Sequence, residues 1–268
     1  MFARLRLHEK IIILLVLVFF AVIWAFPIVH AFMESLKING FYNYIAVLNH
    51  PKVNYFRTVF NSLFIATCSS LIVTLIASLG AYAFSKLKFK FKNIIYYSLL
   101  ACLAIPAIAV MTPMFFTIKT LKLMNTYWSI ILPLVAFNAP FMLMILKNYF
   151  DTIPNSILEA AAIDGCSIFR TYKNIIMPLG VPAIINVMVL TFIYSWNEFL
   201  IPLLFVQKEN LYTVTLAAQY FLTERQNSPE MIAQLYAALM LITIPSILIY
   251  FLSQKYLQYG LIAGAIKQ

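Results

Sequence analysis

Apolar residues in this chain come in long blocks, and polar residues are largely confined to the shorter segments between them. Six blocks stand out, at about 11 to 33, 58 to 85, 93 to 118, 126 to 146, 181 to 206 and 232 to 254. Each reaches the ~20 residues that a helix needs to cross ~30 Å of hydrocarbon. A backbone in hydrocarbon must satisfy its own hydrogen bonds. Blocks of this length, without a two-residue alternation, fit helices and not the strands of a barrel. The expected fold class is all-α, an integral membrane bundle of six transmembrane helices.

Composition supports the same solvent. Hydrophobic residues make up 63% of the chain and charged residues 10%, whereas a soluble domain carries about a quarter charged residues. A soluble fold of 268 residues could not bury that much apolar side chain, so lipid must cover the rest. The net charge of +10 does not point to nucleic acid, because no run of Lys or Arg lies on a polar segment able to follow a phosphate backbone. Arg4, Arg6 and Lys10 before an apolar run have the look of a secretory signal, with Ala31 a conceivable cleavage point. However, the nineteen residues from 11 to 29 carry no charge, which exceeds a signal core and reads as a first span.

The positive charge sets topology, since Lys and Arg are retained on the cytoplasmic side. With the N-terminus inside, twelve of the nineteen fall in cytoplasmic segments and seven outside. The cluster Lys86, Lys88, Lys90 and Lys92 in one short loop weighs most. Both termini are expected in the cytoplasm. Prolines at 106, 113, 133, 140, 202 and 245 suggest kinked helices around a cavity. Cys68, Cys102 and Cys166 form no CxxC pair, and His8, His30 and His50 are scattered, so neither a disulfide framework nor a metal site is expected.

The segment from 147 to 180 is unusually long and polar for this chain. Pro154 suits the first turn of a helix, and residues 155 to 163, with three consecutive alanines, form one readily. Gly165 fits a left-handed stop. Ser167 can cap a second helix through Phe169, Tyr172 and Ile176, with Pro178 expected to end it. The result is a small two-helix knob. Its alanine face would let another protein approach the backbone, with Glu159 and Asp164 marking the edges.

The run Glu159-Ala-Ala-Ala-Ile-Asp-Gly165, followed by Ile175 or Ile176, Pro178 and Pro182, closely resembles the EAA loop of ABC importer permeases. Asn61-Ser62 and the stretches at 80–86, 194–199 and 259–267 resemble the carbohydrate branch, which includes the six-helix permease of the maltose importer. The resemblance covers about residues 55 to 268 and divides the chain into 1–57, a first helix with an external segment, and 58–268, a transporter core with the loop at 150–180.

The resemblance implies a multi-pass permease in a bacterial or archaeal cytoplasmic membrane. Its partners would be a second, different permease subunit, two cytoplasmic ATPases and an external solute-binding protein. It also implies that the loop seats in a cleft of the ATPase, where Glu159 meets a basic residue. The candidate coupling set is Glu159, Ala160, Ala161, Asp164, Gly165, Phe169 and Pro178. Cys166 stands where the family usually has Ala or Ser, and the glycine-rich tail from Gly260 to Gly264 would also reach the ATPases. No cofactor is expected in this chain. None of its six glycines begins a GxxxxGK[ST] phosphate loop, so ATP and Mg would belong to the partner ATPase subunits.

Polar groups within the spans are the candidates for the solute path: Asn138 in the fourth, and Asn186, Asn197 and Glu198 in the fifth. Asn138 and Asn186 could bond a sugar hydroxyl, although helix-to-helix bonding is the commoner use of such residues. A carboxylate in lipid is costly, so Glu198 should face a cavity, a partner or the outer interface. The resemblance implies that the external segment from 207 to 233 touches the binding protein. Two other classes remain in view. An ion-coupled carrier would want several intramembrane carboxylates or an internal repeat, and a membrane enzyme would show a motif such as HExxH or GxSxG.

Overall fold

The computed structural model describes residues 6–51, 53–219 and 228–265. All regular structure among them is helical. In chain order the helices are α1 (Leu7–Ser35), α2 (Tyr42–Leu48), α3 (Tyr55–Lys86), α4 (Lys92–Ala101), α5 (Ala107–Thr120), α6 (Trp128–Asp151), α7 (Asn155–Ile163), α8 (Ile168–Thr171), α9 (Met177–Asn197), α10 (Leu200–Phe205), α11 (Val214–Ala218) and α12 (Pro229–Ala265). Five helical runs are long and apolar enough to cross a bilayer, or six if the bent pair α4 and α5 is one span. The side chains of the glycine-rich tail, and residues 220–227 of the segment expected to be external, lie outside the described residues.

The chain forms two compact units. One comprises residues 1–55 and 218–244, the other 56–217 and 245–268. In the first, α1 is apolar on all sides and exposed along almost its whole length, as a helix covered by lipid or another subunit would be. The turn after α1 has left-handed backbone at Ile38 and Gly40. Buried Asn43 closes it, donating from Nδ2 to the carbonyls of Ser35 (2.9 Å) and Lys37 (3.0 Å). Val47 of α2 packs with Ala237 and Ala238 of α12.

The second unit is built around α3, α6 and α9. One core layer joins Val73, Ala77 and Ala81 of α3 to Met142, Leu146 and Phe150 of α6 and to Ala183 and Val187 of α9. A second layer joins Ile65 of α3 with Ile130, Ile131 and Leu134 of α6, Met111 and Ile118 of α5, and Ile201 and Phe205 of α10. Small residues set the spacing. A Cβ on Gly180 would lie 2.6 Å from Phe150 Cε1, and one on Gly80 2.6 Å from Leu143 Cδ1. Such contacts let the backbones of neighbouring helices approach closely.

Two expected spans differ in the structure. The block 93–118 is not one straight helix, because α4 and α5 meet at 102°. Pro106 disfavours the helical conformation at the residue before it, and Ile105 and Pro106 leave the helical region, with ψ of 118° and 130°. The block 181–206 is likewise redrawn. Pro178 does not end the second loop helix; α8 runs on through a π-helical turn at Tyr172–Ile176 into α9. The Met177 N–H bonds the Tyr172 carbonyl five residues back. Pro178 follows in the first turn of α9, where a missing N–H is tolerated. The span is therefore Ile168–Asn197, and it breaks at Glu198.

Candidate functional site

The loop between α6 and α8 is shaped by local rules. Pro154, at φ −60° and ψ 138°, precedes α7. α7 stops in a Schellman motif: Cys166 N–H bonds Ala161 O (2.9 Å), Gly165 N–H bonds Ala162 O (3.1 Å), and Gly165 takes φ +74°. Ser167 Oγ then accepts from Arg170 N–H (3.3 Å) and caps α8. A Cβ on Gly165 would meet nothing within 4 Å, so a side chain there would point into open space.

The two sides of this knob differ. Ala161 is buried, and Ile157 and Leu158 pack against the core layer of Phe150 and Tyr172. Glu159, Ala160, Asp164 and Gly165 are exposed. So are Ile163 (87% exposed), Ile168 (62%) and Phe169 (67%), which puts three large apolar side chains at the tip of a polar loop. Glu159 and Asp164 form no ion pair among the described residues. An open groove of about 390 Å³ lies beside α7, with Lys86, Lys88 and Lys92 on one wall and Asn155, Leu158 and Glu159 on the other.

The candidates in the spans are dispersed. Asn138 on α6 donates from Nδ2 to Leu134 O (2.8 Å) and is half-buried. Asn197, exposed at the end of α9, does the same to Ile193 O (2.8 Å). Asn186 on α9 has a buried Oδ1 without a hydrogen-bond partner among the described residues. Glu198 lies just past the helical run Ile168–Asn197. It sits in the extended break after α9, where its Oε1 accepts from Ile201 N–H (3.0 Å) and starts α10, while its carbonyl accepts from Thr215 Oγ1 (2.7 Å).

Residues 74–262, the larger part of the chain, match the family model described as binding-protein-dependent transport system inner membrane component. The chain belongs to this family. Among the relatives of this permease is the trehalose/maltose transport system permease protein MalG of Thermococcus litoralis, 34% identical over 98% of this chain and 99% of that one. A probable ABC transporter permease protein of Pyrococcus horikoshii is 30% identical over 89% of this chain and 84% of its own. The fold matches a solved bacterial ABC transporter involved in the import of the acidic polysaccharide alginate, with a TM-score of 0.80 at 21% identity over 92% of this chain and 96% of that one.

Sequence reasoning missed the residues that hold the permease loop in place. In the sequence Lys86 marks topology and closes the family-like stretch 80–86; in the structure its Nζ donates to Ile153 O (2.6 Å) and Asn155 Oδ1 (3.1 Å) at the loop's entry. Asp151 accepts from Ser85 Oγ (2.7 Å) and from Lys147 Nζ (2.7 Å). The available signal was an acidic residue at the end of one span and a lysine cluster at the end of another.

Proposed function

We propose that this chain is the permease subunit of an ATP-driven importer of a carbohydrate, with both termini and the 152–167 loop in the cytoplasm. In this reading the loop is the contact for one of two ATPase subunits, which bind the ATP and Mg. A second, different permease completes the path, and a binding protein delivers solute on the far side. Residues 58–268 serve as the transporter core and 1–57 as an added helix with its external segment. Family membership supports a transport role, and a relative that matches this chain end to end carries a trehalose/maltose name. Asn138, Asn186, Asn197 and Glu198 are the candidates along the path, and Asn186, with its unpartnered Oδ1, is the first of them to test.

The observation that carries the coupling reading is the exposed apolar tip. Ile163, Ile168 and Phe169 stand on helices fixed by a Schellman stop and a serine cap. Covering one such side chain gains about 1.5–3 kcal/mol. The unpaired Glu159 beside them suits a basic partner residue. An ion-coupled carrier is disfavoured, because no Asp or Glu lies in the interior of a span and Glu198 caps a helix.

Variants at the tip test the reading. Gly165→Trp and Glu159→Lys should lose uptake and no longer co-purify the ATPase, with membrane insertion unchanged. Gly165→Asn, which tolerates left-handed backbone, separates bulk from backbone strain and should retain more ATPase than Gly165→Trp. Full ATPase retention in both Gly165→Trp and Glu159→Lys would contradict the coupling role.

A further inference from the structure

Within the transporter unit, α3 differs from its neighbours. It runs for 32 residues without a proline. The α4–α5 pair is bent by 102°, α6 contains Pro133 and Pro140, and the run into α9 carries a π turn and Pro182. Prolines and π turns are common places for helices to kink, and α3 alone among these elements has neither. At ~1.5 Å per residue it is ~48 Å long, against ~30 Å of hydrocarbon.

At its C-terminal end, Ser78, Tyr82, Ser85 and Lys86 lie within about 100° of the helix circumference at 3.6 residues per turn. All four reach the segment 151–172. Ser78 Oγ and Tyr172 OH share a hydrogen bond (2.8 Å), and Tyr82 OH donates to Ile168 O (3.2 Å). Ser85 and Lys86 bind Asp151, Ile153 and Asn155 as described above. α3 therefore holds the loop at its entry and at its exit.

The N-terminal end holds a second segment, 207–214. Buried Asn61 donates from Nδ2 to the carbonyls of Asn210 (3.0 Å) and Tyr212 (2.9 Å), and its Oδ1 accepts from Tyr127 OH (2.7 Å). Arg57 Nε donates to Asn210 O (2.9 Å), and Ser62 Oγ accepts from Val214 N–H (2.9 Å). Just beyond, Thr215 bonds the carbonyl of Glu198 at the break of the fifth span.

We propose that α3 is a relay: a displacement of the 151–172 segment moves α3 as a rigid body and repositions the 207–214 segment, and with it the break at Glu198. The inference rests on the reading of the loop as the ATPase contact. Its physical basis is one stiff element bonded at both ends, where directional hydrogen bonds transmit position because they tolerate little stretching. Ser78, Lys86, Tyr172, Asn61 and Tyr127 are positioning residues in this scheme.

The test uses the whole complex with its ATPase in nanodiscs, with Cys68, Cys102 and Cys166 replaced by serine and a spin label on Lys208→Cys. Trapping with ATP and vanadate should change the label's spectrum relative to the nucleotide-free complex. Lys86→Met should cut that change by about five-fold or more while the ATPase stays bound and active, and Lys86→Arg should restore it. Ser78→Ala with Tyr172→Phe removes only two hydroxyls and decides the matter should Lys86→Met not assemble; Tyr127→Phe probes the far end. No response in the parent complex, or a full response in the double hydroxyl variant, overturns the relay. Failure of the loop reading is seen separately, as full ATPase retention in both Gly165→Trp and Glu159→Lys, neither of which removes a side chain that bonds α3.

Discussion

At Gly180 the fifth span comes so near the fourth that a Cβ would lie 2.6 Å from Phe150 Cε1 and 3.4 Å from Ile184 Cδ1. Phe150 is fully buried and cannot swing aside. Gly180→Ala gains about 1 kcal/mol of helix propensity, but overpacking a tight core costs about 1–3 kcal/mol. The clash should win. Thermal unfolding of the purified permease should show Gly180→Ala less stable than the parent, and equal or greater stability would refute the close-packing account. Gly165 makes a useful contrast. Its left-handed stop is legible in the sequence because it depends only on neighbours in the chain, whereas the need for glycine at 180 depends on a ring thirty residues away.

Among the elements, the π turn at Tyr172–Ile176 has the clearest consequence. A π turn holds one residue more than an α turn, so removing one exposed residue there, Asn174, should convert it to α-helix and leave the faces on either side in register. Removing Met188 from the regular part of α9 should instead rotate everything beyond it by about 100°. Membrane-inserted protein should therefore be near the parent's for the Asn174 deletion and strongly reduced for the Met188 deletion. Equal losses would mean that the turn absorbs no register change. The sequence suggested that Pro178 ends a helix here, because proline lacks the donor a helix interior needs. The π turn five residues wide could not be read from propensity, since Tyr172 is drawn inward by Ser78 and Tyr82 of another helix.

For the whole molecule, the distribution of lysine and arginine predicts that Cys166 and Lys208 face opposite sides of the membrane. With Cys68 and Cys102 replaced by serine, a membrane-impermeant maleimide should label Lys208→Cys on intact cells. Cys166 should react only in inverted vesicles. Labelling of Cys166 from outside would reverse the proposed orientation and remove the loop from the ATPase side.

The sequence by itself determined that the chain carries five or six apolar spans and roughly where they lie, the first loop helix with its glycine stop and the serine cap that follows it, and membership in a transport family. These depend on apolar block length, on residues adjacent in the chain and on a motif, and none needs a distant partner. Only the tertiary structure decided which proline of the third span bends it, that Glu198 accepts from the Ile201 N–H at the break after α9, which alanine of the loop turns inward, and that α3 holds a segment at each of its ends. The last two turn on contacts between residues far apart in the chain, such as Lys86 with Ile153 or Asn61 with Tyr212, and hydrophobic pattern carries no information about which polar groups will meet.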